Sequence, residues 1–141
     1  MAIIKINNLN KKFDKVVIFN NLNLEIESGK IYAIMGESGS GKSTLLNIIG
    51  CLEKYNQGNI ELFSKKNVKV NSRNALLILR NKISYLFQNY GLSENDDVYY
   101  NLKIALKYSK LKNQKEAIGQ ALKEVGLKGY EDKKIYTLSG G

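Results

Sequence analysis

At 141 residues, 43% of them hydrophobic and 25% charged, the chain has the size and composition of one globular domain with a sizeable core. No apolar run is long enough to cross a bilayer, MAIIKINNLNKKF does not read as a secretory leader, and a single cysteine, Cys51, excludes an internal disulfide framework and suits a reducing cytoplasm. The formal charge of +9 comes from lysines scattered along the chain with few arginines, the pattern of a solvated surface and not of a nucleic-acid footprint, although it also suits work against an anionic membrane face.

AIIKINNLN and KVVIFNNLNLEIE alternate apolar and polar residues as half-buried antiparallel strands do, with Leu22, Leu24 and Ile26 on one face. A turn at Ser28–Lys30 leads into KIYAIM, a continuous apolar run of the kind that marks a strand buried on both faces. From Lys42 to about Leu52 the spacing becomes helical, with Leu45, Leu46, Ile49 and Leu52 on one stripe, and Cys51 reads as a small buried hydrophobe. NIELF and VKV read as a hairpin-like pair, SRNALLILRNK as a helix capped by Ser72, and ISYLF as a second buried strand. Two amphipathic helices follow, one with Val98, Leu102, Ala105 and Leu106 inward. The other carries Ala117, Ala121, Leu122 and Val125 and is closed by Gly126. The fold class is therefore α/β: a β-rich start, the beginning of an α/β core over residues 1–90, and a helical subdomain over 91–141.

The chemistry is carried by GESGSGKS, Gly36 to Ser43, which satisfies G-x-x-x-x-G-K-[ST]. Glycines let successive backbone N–H groups turn inward as a nest for a phosphate chain, and the helix that follows presents its positive dipole end to the same anion. In that frame Gly36, Glu37, Ser38, Gly39, Ser40 and Gly41 form the cradle, with Glu37 pointing into solvent at its mouth. Lys42 reaches the β- and γ-phosphates, the Ser43 hydroxyl ligates magnesium and Thr44 lies within reach of the α-phosphate. A strand before the loop and an amphipathic helix after it supply the context this motif needs. A dinucleotide fingerprint does not fit, because Gly36, Gly39 and Gly41 depart from G-x-G-x-x-G.

VIFNNLNLEIESGKIYAIMGESGSGKSTLLNIIGCLEK, RNKISYLFQNYGL and TLSGG together resemble the ATP-binding subunit of ABC transporters, over all 141 residues. The first stretch looks most like the lipoprotein-release, macrolide-export and bacteriocin-export type. The resemblance implies a P-loop NTPase core with an N-terminal antiparallel β region and a helical subdomain, and ATP with Mg2+ as ligands. It implies a transmembrane permease subunit and a second nucleotide-binding subunit as partners, no nucleic acid, and a cytoplasmic place on the inner face of the membrane. It assigns Phe13 to stacking on adenine, Gln88 to magnesium and the attacking water, and Leu138, Ser139, Gly140 and Gly141 to the signature that holds the γ-phosphate bound to the opposite subunit. SENDDVYYNLKIAL occupies the place of the segment that touches the permease, with Tyr99 and Tyr100 as candidate contacts.

In the family the signature opens a helix, followed by a strand ending in an aspartate, a catalytic glutamate and a histidine switch. None of these follows TLSGG here and the chain has no histidine. The resemblance thus implies truncation after the signature, half of a catalytic site, and strand edges of KIYAIM and ISYLF left unpaired. The alternative reading is a non-catalytic or vestigial ATP-binding fragment.

Overall fold

The computed structural model describes residues 1–139. It contains two compact units, Met1–Tyr85 and Leu86–Gly141.

In the first unit, β1 (Ala2–Phe13) and β2 (Val16–Glu27) form a long hairpin, joined by a turn in which Asp14 takes a φ of 48°, a conformation that a short polar side chain tolerates. β3 (Gln57–Leu62) and β4 (Lys65–Lys66) complete an antiparallel sheet of order β2-β1-β3-β4. Ile4, Ile6 and Leu9 of β1 and Ile60 and Leu62 of β3 are buried against Leu45, Ile48 and Ile49 of α1 (Lys42–Ile49) and Ala75 and Ile78 of α2 (Arg73–Asn81). Leu22, Leu24 and Ile26 pack half-buried on the same core, as their alternation predicts. Ser72 caps α2 by accepting from the Ala75 amide at 3.2 Å. Leu62→Ala should cost about 2–5 kcal/mol of stability by opening a cavity, because Leu62 is fully buried; a urea titration that finds less than about 1 kcal/mol would contradict this packing.

A bulge changes the phase of β1. The pairing with β2 shifts register between Ile6 and Leu9, where Asn8 takes a φ of 52°, so the inward set passes from Ile4 and Ile6 to Leu9 and Lys11. Lys11 is consequently buried. Its ammonium donates to Glu53 Oε1 at 2.8 Å and to the Lys54 carbonyl at 2.7 Å. The hydrogen bond from Lys11 is the main reason that the Glu53 carboxyl is held below its ordinary range. A depressed folded-state value means that this contribution is complete at neutral pH and is lost as pH falls below the ordinary carboxylate range. Glu53→Gln should destabilise by about 1–3 kcal/mol at pH 7 and flatten the stability profile in acid. An unchanged midpoint at pH 7 would show that Lys11 finds another partner.

Two expected strands are not strands. KIYAIM and ISYLF carry no regular secondary structure and no ladder partners among the described residues, and Ile31, Met35 and Leu86 are among the most exposed large hydrophobics. A parallel strand is held by neighbours on its edges and layers on its faces, and no described residue supplies them. The only sheet among the described residues is therefore the antiparallel one. VKV is also not a strand. Its place is taken by β4, while Val68 packs on the core. In α1 the inward stripe is Leu45, Ile48 and Ile49, with Leu46 and Leu52 half-exposed.

In the second unit, α3 (Val98–Ala105) is capped by Asp97, whose carboxylate accepts from the Tyr100 amide at 2.7 Å, and α4 (Gln114–Glu124) by Asn113, which accepts from Glu116 at 3.3 Å. α4 ends in a Schellman motif. Gly126 takes a φ of 77°, its amide donates to Lys123 O at 3.1 Å, and the Leu127 amide donates to Leu122 O at 2.7 Å. Val98, Ile118 and Leu122 form the small core, with Tyr99, Leu102, Leu106, Leu127, Ile135 and Leu138 around it. Ala105, Ala121 and Val125, expected inward, are exposed. The larger Ile118 and Leu122, one turn apart, decide which face of α4 is buried.

Candidate nucleotide-binding loop

The loop from Gly36 to Thr44 begins where KIYAIM ends and closes on the first turn of α1. Gly39 and Gly41 adopt φ values of 82° and 90°, the left-handed region that glycine enters without penalty. Gly41 is the N-cap of α1, with no side-chain cap, and the first turn carries no acidic residue. Its leading amides are thus left to an external acceptor. Lys42 folds back into the loop: its ammonium donates to the carbonyls of Gly36 at 2.9 Å and Glu37 at 2.6 Å, and to Ser40 Oγ at 3.4 Å. The Ser40 amide closes the turn onto Glu37 O at 3.2 Å. Glu37 and Ser43 are exposed. Ser38, Gly39, Gly41, Lys42, Ser43 and Thr44 line one cavity of about 310 Å3, with Ile18 of β2 as its apolar wall. Convergent amides, one cation and a hydroxyl around one concavity suit a polyphosphate and its magnesium.

Two residues that back this loop were missed from sequence. A Cβ on Gly41 would stand 2.5 Å from Ile18 Cγ2 and 2.9 Å from ring carbons of Phe19, so β2 presses directly on the loop. The signal was the run VVIF, four apolar residues where alternation needs two. Phe13 lies elsewhere: it ends β1 opposite Val16, half-exposed, with the Lys11 ammonium 4.0 Å from its ring centroid, and it is not part of the loop cavity. Gln88 sits exposed in a turn closed by the Tyr90 amide on Phe87 O at 2.9 Å, in the second unit. Leu138 packs on the second unit's core, and Ser139 lines a cavity with Tyr90, Glu94, Ile135 and Tyr136. Gly140 and Gly141 lie outside the described residues. Tyr99 packs on the core while Tyr100 is exposed, so only Tyr100 is available as a surface contact. Cys51 is buried, and burial pushes its thiol up, which fits a packed hydrophobe.

Residues 19–141 match the ABC transporter family. The chain belongs to that family. Among curated ABC relatives, it is 38% identical over 141 residues to the methionine import ATP-binding protein MetN of Clostridioides difficile, covering 98% of this chain and 43% of MetN. It is 39% identical over 142 residues to the probable amino-acid import ATP-binding protein YxeO of Bacillus subtilis, covering 98% of this chain and 57% of YxeO. The chain thus spans about half the length of these relatives. Among solved structures it superposes on the ATP-binding cassette MJ0796, a dimer in a post-hydrolysis state bound to ADP and Pi, with a TM-score of 0.83 and 32% identity over 97% of this chain and 63% of that one. It also resembles cbiO1 of Clostridium perfringens, part of the ABC transporter complex cbiONQ, with a TM-score of 0.76 and 28% identity over 98% of this chain and 56% of that one. The ABC cassette fold expected from the sequence is therefore the fold observed. The export-type assignment finds no support in these relatives, since both curated proteins are named for import. Among the described residues no helix is long and apolar enough to cross a membrane.

Proposed function

We propose that this chain supplies the nucleotide-binding loop of an ABC transporter ATP-binding subunit, which couples ATP binding and hydrolysis to transport through a membrane permease. The observation that carries this reading is the Gly36–Thr44 loop, with the Lys42 ammonium bound to the Gly36 and Glu37 carbonyls and the start of α1 uncapped. Lys42 would neutralise the β- and γ-phosphates, and the amides of residues 39–44 would orient the chain of phosphates. The Ser43 hydroxyl, and Gln88 by the resemblance, would hold the magnesium ion, which when bound offsets the charge of the terminal phosphates. Ile18 offers an apolar wall, and Phe13 remains the candidate for adenine stacking. The import names of MetN and YxeO favour import over the export that the resemblance implied. A permease and a second nucleotide-binding subunit are the proposed partners, at the inner face of a membrane.

A ligand that binds only the folded chain raises its melting temperature with concentration. Thermal unfolding of residues 1–141 should therefore shift upward with Mg–ATP or Mg–ADP and not with adenosine; no shift at millimolar nucleotide would overturn the reading. Hydrolysis is a separate matter. Residues 1–141 contain no match to the family's catalytic glutamate and no histidine, so this stretch alone should bind without turnover. Steady phosphate release by a contaminant-free preparation, abolished by Lys42→Ala, would contradict that expectation.

A further inference from the structure

At the end of α1 away from the Gly36–Thr44 loop, the first unit holds a second cavity, of about 530 Å3, which shares no residue with the loop cavity. Its floor is apolar and buried, made by Ile48 and Cys51 at the end of α1 and by Ile60 and Leu62 of β3. The carbonyls of Leu46, Asn47 and Ile48, which end that helix, accept from the amides of Gly50, Leu52 and Cys51 at 2.8, 2.8 and 3.0 Å. These helix-end acceptors are therefore closed and do not repel an anion as open ones would. Half-buried Val68 and Val70 add to the apolar lining.

Most polar groups of the lining already have partners. The Tyr55 hydroxyl donates to Asn67 Oδ1 at 3.3 Å, which also accepts from the Ile60 amide at 3.0 Å. The Glu53 carboxylate is held at 2.8 Å by Lys11, which is outside the lining. Lys54 and Lys69 differ: both are exposed and neither joins an ion pair recorded among the described residues. Lys54 acts on Glu53 through space, as the smallest influence on that carboxyl. Small-molecule pockets run from about 300 to 1,000 Å3, with mostly apolar walls and a few polar groups that fix orientation. We propose that this cavity binds a small amphipathic carboxylate such as a medium-chain acid. Its hydrocarbon part would lie on the floor and its carboxylate at Lys54 and Lys69. A concavity within one unit selects a small molecule over a macromolecular surface, and the buried floor selects a hydrocarbon part over an inorganic anion. The two lysines select a negative head over a neutral one. The contact is independent of the nucleotide loop.

Cys51 is the only cysteine of the chain and lies on the cavity floor, so its alkylation by N-ethylmaleimide reports on occupancy. Octanoate near ten times its Kd should slow alkylation of residues 1–141 about tenfold. Octanol at the same concentration should protect far less, and acetate not at all. Lys54→Gln with Lys69→Gln should weaken octanoate binding about tenfold. The same charge change at Lys65 and Lys66 of β4, outside the lining, should weaken it far less. Amide shifts on adding octanoate should centre on Cys51, Ile60, Val68 and Val70 and leave Gly39 and Gly41 in place. Equal protection by octanol and octanoate, or equal losses from the two double variants, would overturn the proposal. So would Cys51 alkylation that ignores octanoate in a chain shown by circular dichroism to be folded.

Discussion

Gly41→Ala should abolish nucleotide binding by residues 1–141 while leaving the β1–β2–β3 core folded. Gly41 holds a φ of 90°, and an added Cβ would stand 2.5 Å from Ile18 Cγ2 and 2.9 Å from Phe19 ring carbons. The strand cannot simply retreat, because Phe19 pairs with Lys11 across the hairpin and packs on the core. The loop must move instead, and with it the first amides of α1. Backbone strain of about 1–2 kcal/mol adds to the loss of charge-assisted contacts from displaced amides, about another 1–3 kcal/mol. Together these correspond to roughly thirtyfold to a few thousandfold in affinity. Circular dichroism would verify the fold and calorimetry the affinity. A folded Gly41→Ala chain that binds Mg–ATP as the wild type does would show that the loop does not form the site.

Lys42→Ala should weaken Mg–ATP binding by about 2 kcal/mol, roughly thirtyfold, by removing one charge-assisted contact to phosphate. The ammonium also ties the Gly36 and Glu37 carbonyls together, so its loss loosens the cradle as well as discharging it. The effect should follow the length of the phosphate chain. ATP and ADP should suffer, whereas AMP, which lacks both the β- and γ-phosphates, should lose little. Equal losses for all three nucleotides would place Lys42 near the α-phosphate or outside the site.

Local signals were legible wherever one rule sufficed. The hairpin followed from alternation, the α2 cap from Ser72 and the end of α4 from Gly126. The loop followed from a spacing whose glycines, lysine and serine each have a phosphate-binding reason. Failures arose where long-range context decides. KIYAIM and ISYLF have the composition of buried parallel strands, but composition cannot supply the neighbours that make a strand, and Ile31 and Met35 stand exposed. Lys11 is buried because one extra residue at Asn8 inverts the phase of β1, a shift that period-two counting cannot anticipate. Ile18 and Phe19 became part of the site through the hairpin's approach to the loop, a tertiary contact with only the run VVIF to betray it. The stripe of α4 failed because the bulkier Ile118 and Leu122 choose its buried face over Ala121 and Val125, whereas in α1 the buried Ile48 and the half-exposed Leu46 are equal in size, so packing against the sheet decides.

Amide chemical-shift mapping tests the phosphate-binding role of Gly36–Thr44 most directly. On titrating Mg–ATP into isotope-labelled residues 1–141, the largest perturbations should fall on the amides of Gly39, Gly41, Lys42, Ser43 and Thr44, with smaller ones at Ile18. Perturbations confined to another surface, such as the cavity of about 530 Å3 lined by Cys51, Tyr55 and Val68, with the loop amides unmoved, would contradict the assignment.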